Sequence, residues 1–216
     1  MTLNVLYAAQ EQRWDEYRPA LEKACAAAGL QINLARDHSP KDVDYILYTP
    51  AGAITDFSPF SRAKAVLNLW AGVESVAANK TLNVPLTRMV DSALSQGMVE
   101  WVTGHVLRHH LGMDAQLLGQ NGQWRPVIPP LARDRRVGIL GLGELGSACA
   151  QALANLNFRV SGWSRTPKDI DGVDCHSGDQ GLQQVLQTSG ILVLLLPLTR
   201  ETTNIIAQTA LAQIPK

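Results

Sequence analysis

Cysteine is scarce in this chain: Cys25, Cys149 and Cys175 are the three present, and no two stand in a Cys-x-x-Cys spacing. An odd, scattered set excludes a disulfide framework or a thiolate zinc site and fits a reducing cytoplasm. An excess of either charge is also missing, because 19 Lys and Arg balance 19 Asp and Glu. No electrostatic surface for nucleic acid or for an anionic membrane is expected. Long apolar runs are absent too: the longest, Ile191 to Leu196, is far too short to span a bilayer. The opening "MTLNVLYAAQEQ" has no basic flank and soon turns polar, so no targeting segment is read there. What remains is a 216-residue chain, 46% hydrophobic, long enough for two modest domains that each bury a core. A small neutral or anionic ligand is the natural partner.

Short apolar runs alternate with longer helical stretches. Strands are expected at Asn4–Ala9, Gln31–Ala35, Asp44–Thr49, Ala63–Trp70 and Asn83–Met89. Between the first two, "WDEYRPALEKACAAAG" has helical spacing and a stop at Gly29. This alternation predicts an α/β fold with mainly parallel sheets. A proline-free stretch predicts one long helix from about Ser92 to Leu118, and "GQNGQWRPVIPPLARDRR" reads as a connecting arm. The expected organisation is a first domain over 1–95, a helix and arm over 96–130, and a second domain over 131–216.

The second domain opens on "VGILGLGELG" (Val137 to Gly146), an apolar strand, a Gly-x-Gly-x-x-Gly turn and a helix in the order that a dinucleotide site requires. Gly141 permits the tight turn, Gly143 lets a pyrophosphate approach the backbone, and Gly146 allows close helix packing. The amides of Glu144 and Leu145 at the helix start then face phosphate. Leu145, Cys149, Leu153 and Leu156 fall near one face of that helix, which makes Cys149 a core residue rather than a nucleophile. The next strand, Phe158–Trp163, ends at Ser164, Arg165 and Thr166, with Lys168 just beyond, where an NAD-binding chain carries an acid on the ribose. An arginine with hydroxyls suits a 2′-phosphate, so NADP is expected over NAD. The plainer alternative makes Arg165 a solvated loop residue.

Other constellations carry less. His105 and His109 lie i, i+4 on the long helix, beside His110, but no Glu completes a His-Glu-x-x-His and no cysteine is near in sequence. A solvated or interface helix face is expected, without a metal. His38 and His176 lack a Ser or Cys partner. Trp101 and Trp124 are open to either core or interface packing.

Together "VGILGLGELGSACAQAL", "WSRT", "ILVLLLPLTRETTNII", "LWAGVES" and "MVEWVTGHVL" resemble the D-2-hydroxyacid dehydrogenases, in particular their glyoxylate/hydroxypyruvate reductase A type. The resemblance spans most of the chain, in family order. It implies a flavodoxin-like substrate domain and a Rossmann NAD(P)-binding domain, here partial, joined by a helix that often contributes to a homodimer. It implies that the backbone of Ala71, Gly72 and Val73 receives the substrate carboxylate. It further implies cofactor contacts from Leu196, Pro197, Leu198 and Thr202, with Met98 as a further candidate. The activity implied is reduction of a small 2-oxo acid, glyoxylate or hydroxypyruvate in class, to the D-2-hydroxy acid with NADPH.

The arginine and the glutamate–histidine pair that serve this chemistry in the family belong to motifs expected beyond Lys216, so no catalytic residue is assigned in the chain. "ILVLLL" reads as an interior parallel strand, the fourth in a 3-2-1-4-5-6 order, which is followed in that fold by two more. A truncated product or fragment is therefore expected. The competing function is a non-catalytic NADP-binding or interaction module, or an inactive fragment.

Overall fold

A computed structural model describes residues 2–215. By contacts the chain divides into two units, Met1–Val90 and Asp91–Lys216.

The first unit carries β1 (Leu3–Ala8), α1 (Trp14–Ala27), β2 (Ile32–Ala35), β3 (Tyr45–Tyr48), β4 (Ala65–Asn68), the one-turn α2 (Glu74–Ala77) and β5 (Leu86–Thr87). All pair in parallel, in the order β2-β1-β3-β4-β5. This is the flavodoxin-like strand order. Strands in such a sheet are covered on both faces, and the runs read accordingly: Ile46 and Val66 are fully buried, packed with Leu6, Val43, Phe57 and Val76. The fifth strand is only two residues long because Pro85, which has no N–H to give the ladder, precedes it. Asp44 anchors the lower end of this sheet. Its buried carboxylate accepts from the Asn4 backbone N–H at 2.9 Å and from Arg62 at 3.1 and 3.2 Å.

The second unit begins with α3 (Ser92–His110), whose start is capped by the Asp91 carboxylate accepting from Leu94 N–H at 2.9 Å. The single helix expected to Leu118 is broken. Gly112 stands at φ +63°, and a separate α4 (Met113–Leu118) follows. A left-handed residue cannot continue a right-handed helix, and glycine takes that conformation at little cost.

The remaining elements are β6 (Arg136–Leu140), α5 (Glu144–Asn155), β7 (Arg159–Ser164), β8 (Val173–Ser177), α6 (Gly178–Thr188), β9 (Ile191–Leu194) and the short α7 (Gln208–Leu211). Their parallel sheet runs β8-β7-β6-β9, which is the 3-2-1-4 half of a Rossmann sheet. One face packs Val102 and Val106 of α3 with Cys149, Ala150 and Leu153 of α5 against Val137, Ile139 and Val160. The other face packs Leu140 against Val185 and Leu186 of α6.

One further sequence expectation gives way here. Leu156 does not join the buried face of α5, because the helix ends one residue earlier and Leu156 is 41% exposed. β9, by contrast, takes the fourth place expected of "ILVLLL", and among the described residues it pairs with β6 alone, its Leu194 left exposed. Trp101 and Trp124 are not core residues, at 66% and 91% exposure.

Candidate functional site

The carboxyl end of β6 runs into the glycine turn. Gly141, at φ +106°, sits close against the next strand's exit: a methyl group there would stand 2.6 Å from the Leu195 carbonyl oxygen. Its own N–H donates to Trp163 O at 2.8 Å, while Leu195 N–H donates to Leu140 O at 2.9 Å. The turn is therefore tied to the ends of both β7 and β9. Gly146, in the first turn of α5, packs directly on the turn's backbone, and a side chain there would be driven into the Gly141 carbonyl oxygen. Both glycines are required by the protein's own packing.

Gly143 is different. It has ordinary extended backbone at φ −81° and ψ −165°, it is exposed, and a methyl group on it would meet no protein atom within 4 Å. Nothing within the fold demands glycine there. Beside it, Ser147 N–H closes the first turn of α5 on Gly143 O at 2.8 Å, which leaves the amides of Glu144, Leu145 and Gly146 without an acceptor among the described residues. Donors at the start of a twelve-residue helix, next to open space at Gly143, form a receptor for an anion.

At the end of β7, Ser164 is buried and its hydroxyl donates to Thr166 O at 2.7 Å, fixing the bend of the following loop. Arg165, Thr166 and Lys168 are exposed. Glu201, from the loop after β9, is also exposed. Its carboxyl is held below the usual range, first by its own backbone N–H, then by the Thr199 hydroxyl and, more weakly, by the charge of Arg165.

The segment from Leu196 to Thr202 leaves the β9 end beside the glycine turn. Leu196 packs inward with Leu140, whereas Pro197 and Leu198 are exposed. Thr202 closes the segment: its hydroxyl donates to Pro197 O and accepts from Thr199 N–H at 2.8 Å. Met98 lines a groove of about 390 Å³ between α3 and β9, which includes Leu195 at the exit of β9 and also holds Trp101, His105 and His109. The Trp101 and His105 rings meet there at a tilt of 51°, with centroids 4.4 Å apart. The structure thus gathers the glycine turn, the β7 end and the 196–202 segment at the carboxyl ends of the parallel strands, where such sheets bind ligands.

In the first unit, the carboxyl end of β4 leads into Ala71, Gly72 and Val73. The N–H groups of all three lack an acceptor among the described residues. Asn68, the last residue of β4, is 4% exposed and donates from Nδ2 to Trp70 O at 2.7 Å and to Gly72 O at 2.8 Å. Sequence reading passed over Asn68. The signal was available: an amide side chain ending an apolar strand, two and four residues before a turn, commonly bonds the turn's backbone.

Residues 102–216 match the family model described as "D-isomer specific 2-hydroxyacid dehydrogenase, NAD binding domain". The chain belongs to the D-isomer specific 2-hydroxyacid dehydrogenase family. Among members of that family, the glyoxylate/hydroxypyruvate reductase A of Yersinia enterocolitica is 38% identical over 92% of this chain and 68% of its own length. The protein of the same name from Klebsiella pneumoniae is 33% identical over 90% of this chain and 64% of its own length. A family member from Xanthobacter autotrophicus Py2, crystallised with NADPH and MES, superposes with a TM-score of 0.85 at 36% identity, over all of this chain and 70% of that one. An NADPH-dependent glyoxylate/hydroxypyruvate reductase from Sinorhizobium meliloti, solved with NADP and sulfate, gives 0.67 at 33% identity, over 93% of this chain and 64% of that one. This chain therefore spans about two thirds of the length of these dehydrogenases. Among the described residues, no helix is long and apolar enough to cross a membrane.

Proposed function

We propose that this chain binds NADPH on its second unit and the carboxylate of a small 2-oxo acid on its first, as part of a reductase that forms a D-2-hydroxy acid. Gly143 carries this reading. It is the one glycine of the triad that the protein's own packing leaves unexplained, and a pyrophosphate against its backbone accounts for it. The free amides of Glu144 and Leu145 receive phosphate oxygens. Arg165 supplies charge-assisted hydrogen bonds to a 2′-phosphate, with Thr166 and Lys168 beside it and no acidic residue among positions 164–168. The internal bond of Ser164 shapes this loop and leaves its hydroxyl oxygen only as an acceptor. Relatives crystallised with NADPH and with NADP support the choice of cofactor.

Leu196, Pro197, Leu198 and Thr202 flank the turn as the proposed wall beside the nicotinamide ribose, with Met98 as a more distant contact. The amides of Ala71, Gly72 and Val73 hold the substrate carboxylate. When bound, the reduced nicotinamide supplies a hydride to the 2-oxo carbon, and the protein's part is to orient the acid and exclude competing geometries. Glyoxylate or hydroxypyruvate is the proposed substrate class, in keeping with the names of the relatives. A cytoplasmic homodimer completes the proposal, with the exposed Trp101 face of α3 as the surface to examine by light scattering.

The test is fluorescence titration of NADPH, followed by loss of NADPH absorbance on adding glyoxylate or hydroxypyruvate. Gly143→Ala is expected to leave the fold intact and to weaken NADPH binding roughly tenfold to a hundredfold, the worth of one or two phosphate hydrogen bonds. Unchanged affinity in that variant would sink the cofactor assignment. Binding without turnover of either acid favours an NADP-binding module over a reductase.

A further inference from the structure

The loop after β4 presents three consecutive amides with no acceptor among the described residues, yet no element of regular structure holds it in that shape. The helix that follows, α2, is a single turn, too short to orient the loop by its dipole. Among the described residues, two interactions stand out. Trp70 O accepts from Met89 N–H at 3.1 Å, and the Asn68 side-chain amide donates to Trp70 O and Gly72 O.

The second interaction has a directional consequence. Every peptide bond here is trans, and in a planar trans peptide the carbonyl and the following N–H point in opposite directions. Drawing the Trp70 carbonyl onto Asn68 Nδ2 turns the Ala71 N–H away from Asn68. Drawing the Gly72 carbonyl onto the same nitrogen turns the Val73 N–H away as well. Asn68 itself is 4% exposed, so one buried amide collects two carbonyls on the inner side of the loop and sends two donors to the outer side. Its orientation is fixed by chemistry: both partners are acceptors, so only the NH₂ end can face them. The Oδ1 end is buried without a partner among the described residues, a desolvation cost that accompanies the two bonds.

We propose that Asn68 is the positioning residue of the carboxylate site: it sets the direction of the Ala71 and Val73 amides without touching the substrate. The proposal rests on the assignment of the 71–73 loop to the substrate carboxylate. Carboxylate binding by backbone amides depends on convergence of the donors, so loss of the buried clamp removes affinity for the acid while leaving the cofactor turn of the other unit untouched.

The test uses the full chain, labelled with ¹⁵N, saturated with NADP⁺, which has no hydride to give, and titrated with glyoxylate. In the wild type, the resonances of Ala71, Gly72 and Val73 move and report the glyoxylate dissociation constant. Asn68→Ala raises that constant about tenfold, and Asn68→Ser, which keeps one donor, falls between. The NADPH dissociation constant is unchanged in both. Wild-type affinity for glyoxylate in a folded Asn68→Ala overturns the proposal while sparing the loop assignment. Silence of the 71–73 amides in the wild type overturns the loop assignment and the proposal with it. Equal loss of NADPH and glyoxylate binding also overturns it, since that marks general damage. If Asn68→Ala does not fold, Asn68→Ser decides on the same terms.

Discussion

The two loops proposed to receive anions, 141–146 and 71–73, solve one problem by different means. Both turn successive backbone amides outward at the carboxyl end of a parallel strand. In the second unit, backbone does most of the work: glycines press the turn against neighbouring carbonyls, a twelve-residue helix adds its dipole, and the Ser147 hydroxyl adds one bond, to Leu142 O at 3.1 Å. In the first unit, a single buried side chain gathers the carbonyls instead, and the following helix has four residues. The packed turn tolerates no added atoms at Gly141 or Gly146, whereas a side-chain clamp tolerates bulk but not the loss of its donor.

The sharpest way to break that contrast is a pair of alanine substitutions. Gly146→Ala forces a methyl group onto the Gly141 carbonyl, and a loss on the order of 3 kcal/mol is expected in urea unfolding of the second unit. Gly72→Ala meets only the mobile end of Glu74, with Oε2 at 3.0 Å, and should stay within about 0.5 kcal/mol of wild type. Comparable losses in the two variants would erase the distinction. Next in size, Arg165→Asp should weaken NADPH roughly 10- to 150-fold with little change for NADH, because it removes a charge-assisted bond and adds repulsion. Equal losses for both cofactors in parallel titrations would return Arg165 to the status of a solvated loop residue.

The smallest effect separates the units by acid sensitivity. His110, at the end of α3, is buried edge-on against Phe158 at 4.9 Å, and its Nδ1 has no partner among the described residues. Burial, and then the charge of Arg135, lower its pKa. The unfolded chain therefore takes up this proton first, and the second unit loses stability as pH falls below the ordinary histidine range. Asp44 in the first unit is shifted in the carboxylate sense: the Asn4 N–H, then Arg62 and Lys64, hold it low against the opposing cost of burial. Its contribution persists above the usual carboxyl range and is lost only as pH drops through its lowered value. Unfolding followed separately in each unit across a pH series should show the second unit weakening first, and His110→Phe should flatten that early slope.

Most of the sheet order was legible in the sequence because buried parallel strands write themselves as apolar runs: "NVLYAA", "DYILYT" and "RRVGIL" each became a strand within a residue or two. The glycine turn was legible because two of its three glycines answer to packing that any such turn must satisfy. What stayed hidden was non-periodic. β8, "VDCHS", places Asp174 Oδ2 and His176 Nε2 3.0 Å apart and lacks an apolar run. The break at Gly112 depends on one dihedral, and glycine inside a helical pattern does not announce it, as Gly97 and Gly104 within α3 demonstrate. Asn68 was hidden for a different reason: its role lies in carbonyls two and four residues away, which no hydropathy pattern records.

The bonds from Gly141 N–H to Trp163 O and from Leu195 N–H to Leu140 O have one more consequence, in entropy. They make the glycine turn a continuation of three strands, so its ordering is completed when the sheet folds and not when a ligand arrives. Ordering a loop residue costs about 1–2 kcal/mol of backbone freedom, and here that cost falls on folding. Association with a preformed turn then carries little of the heat-capacity signature of coupled folding, and its affinity reports the contacts themselves.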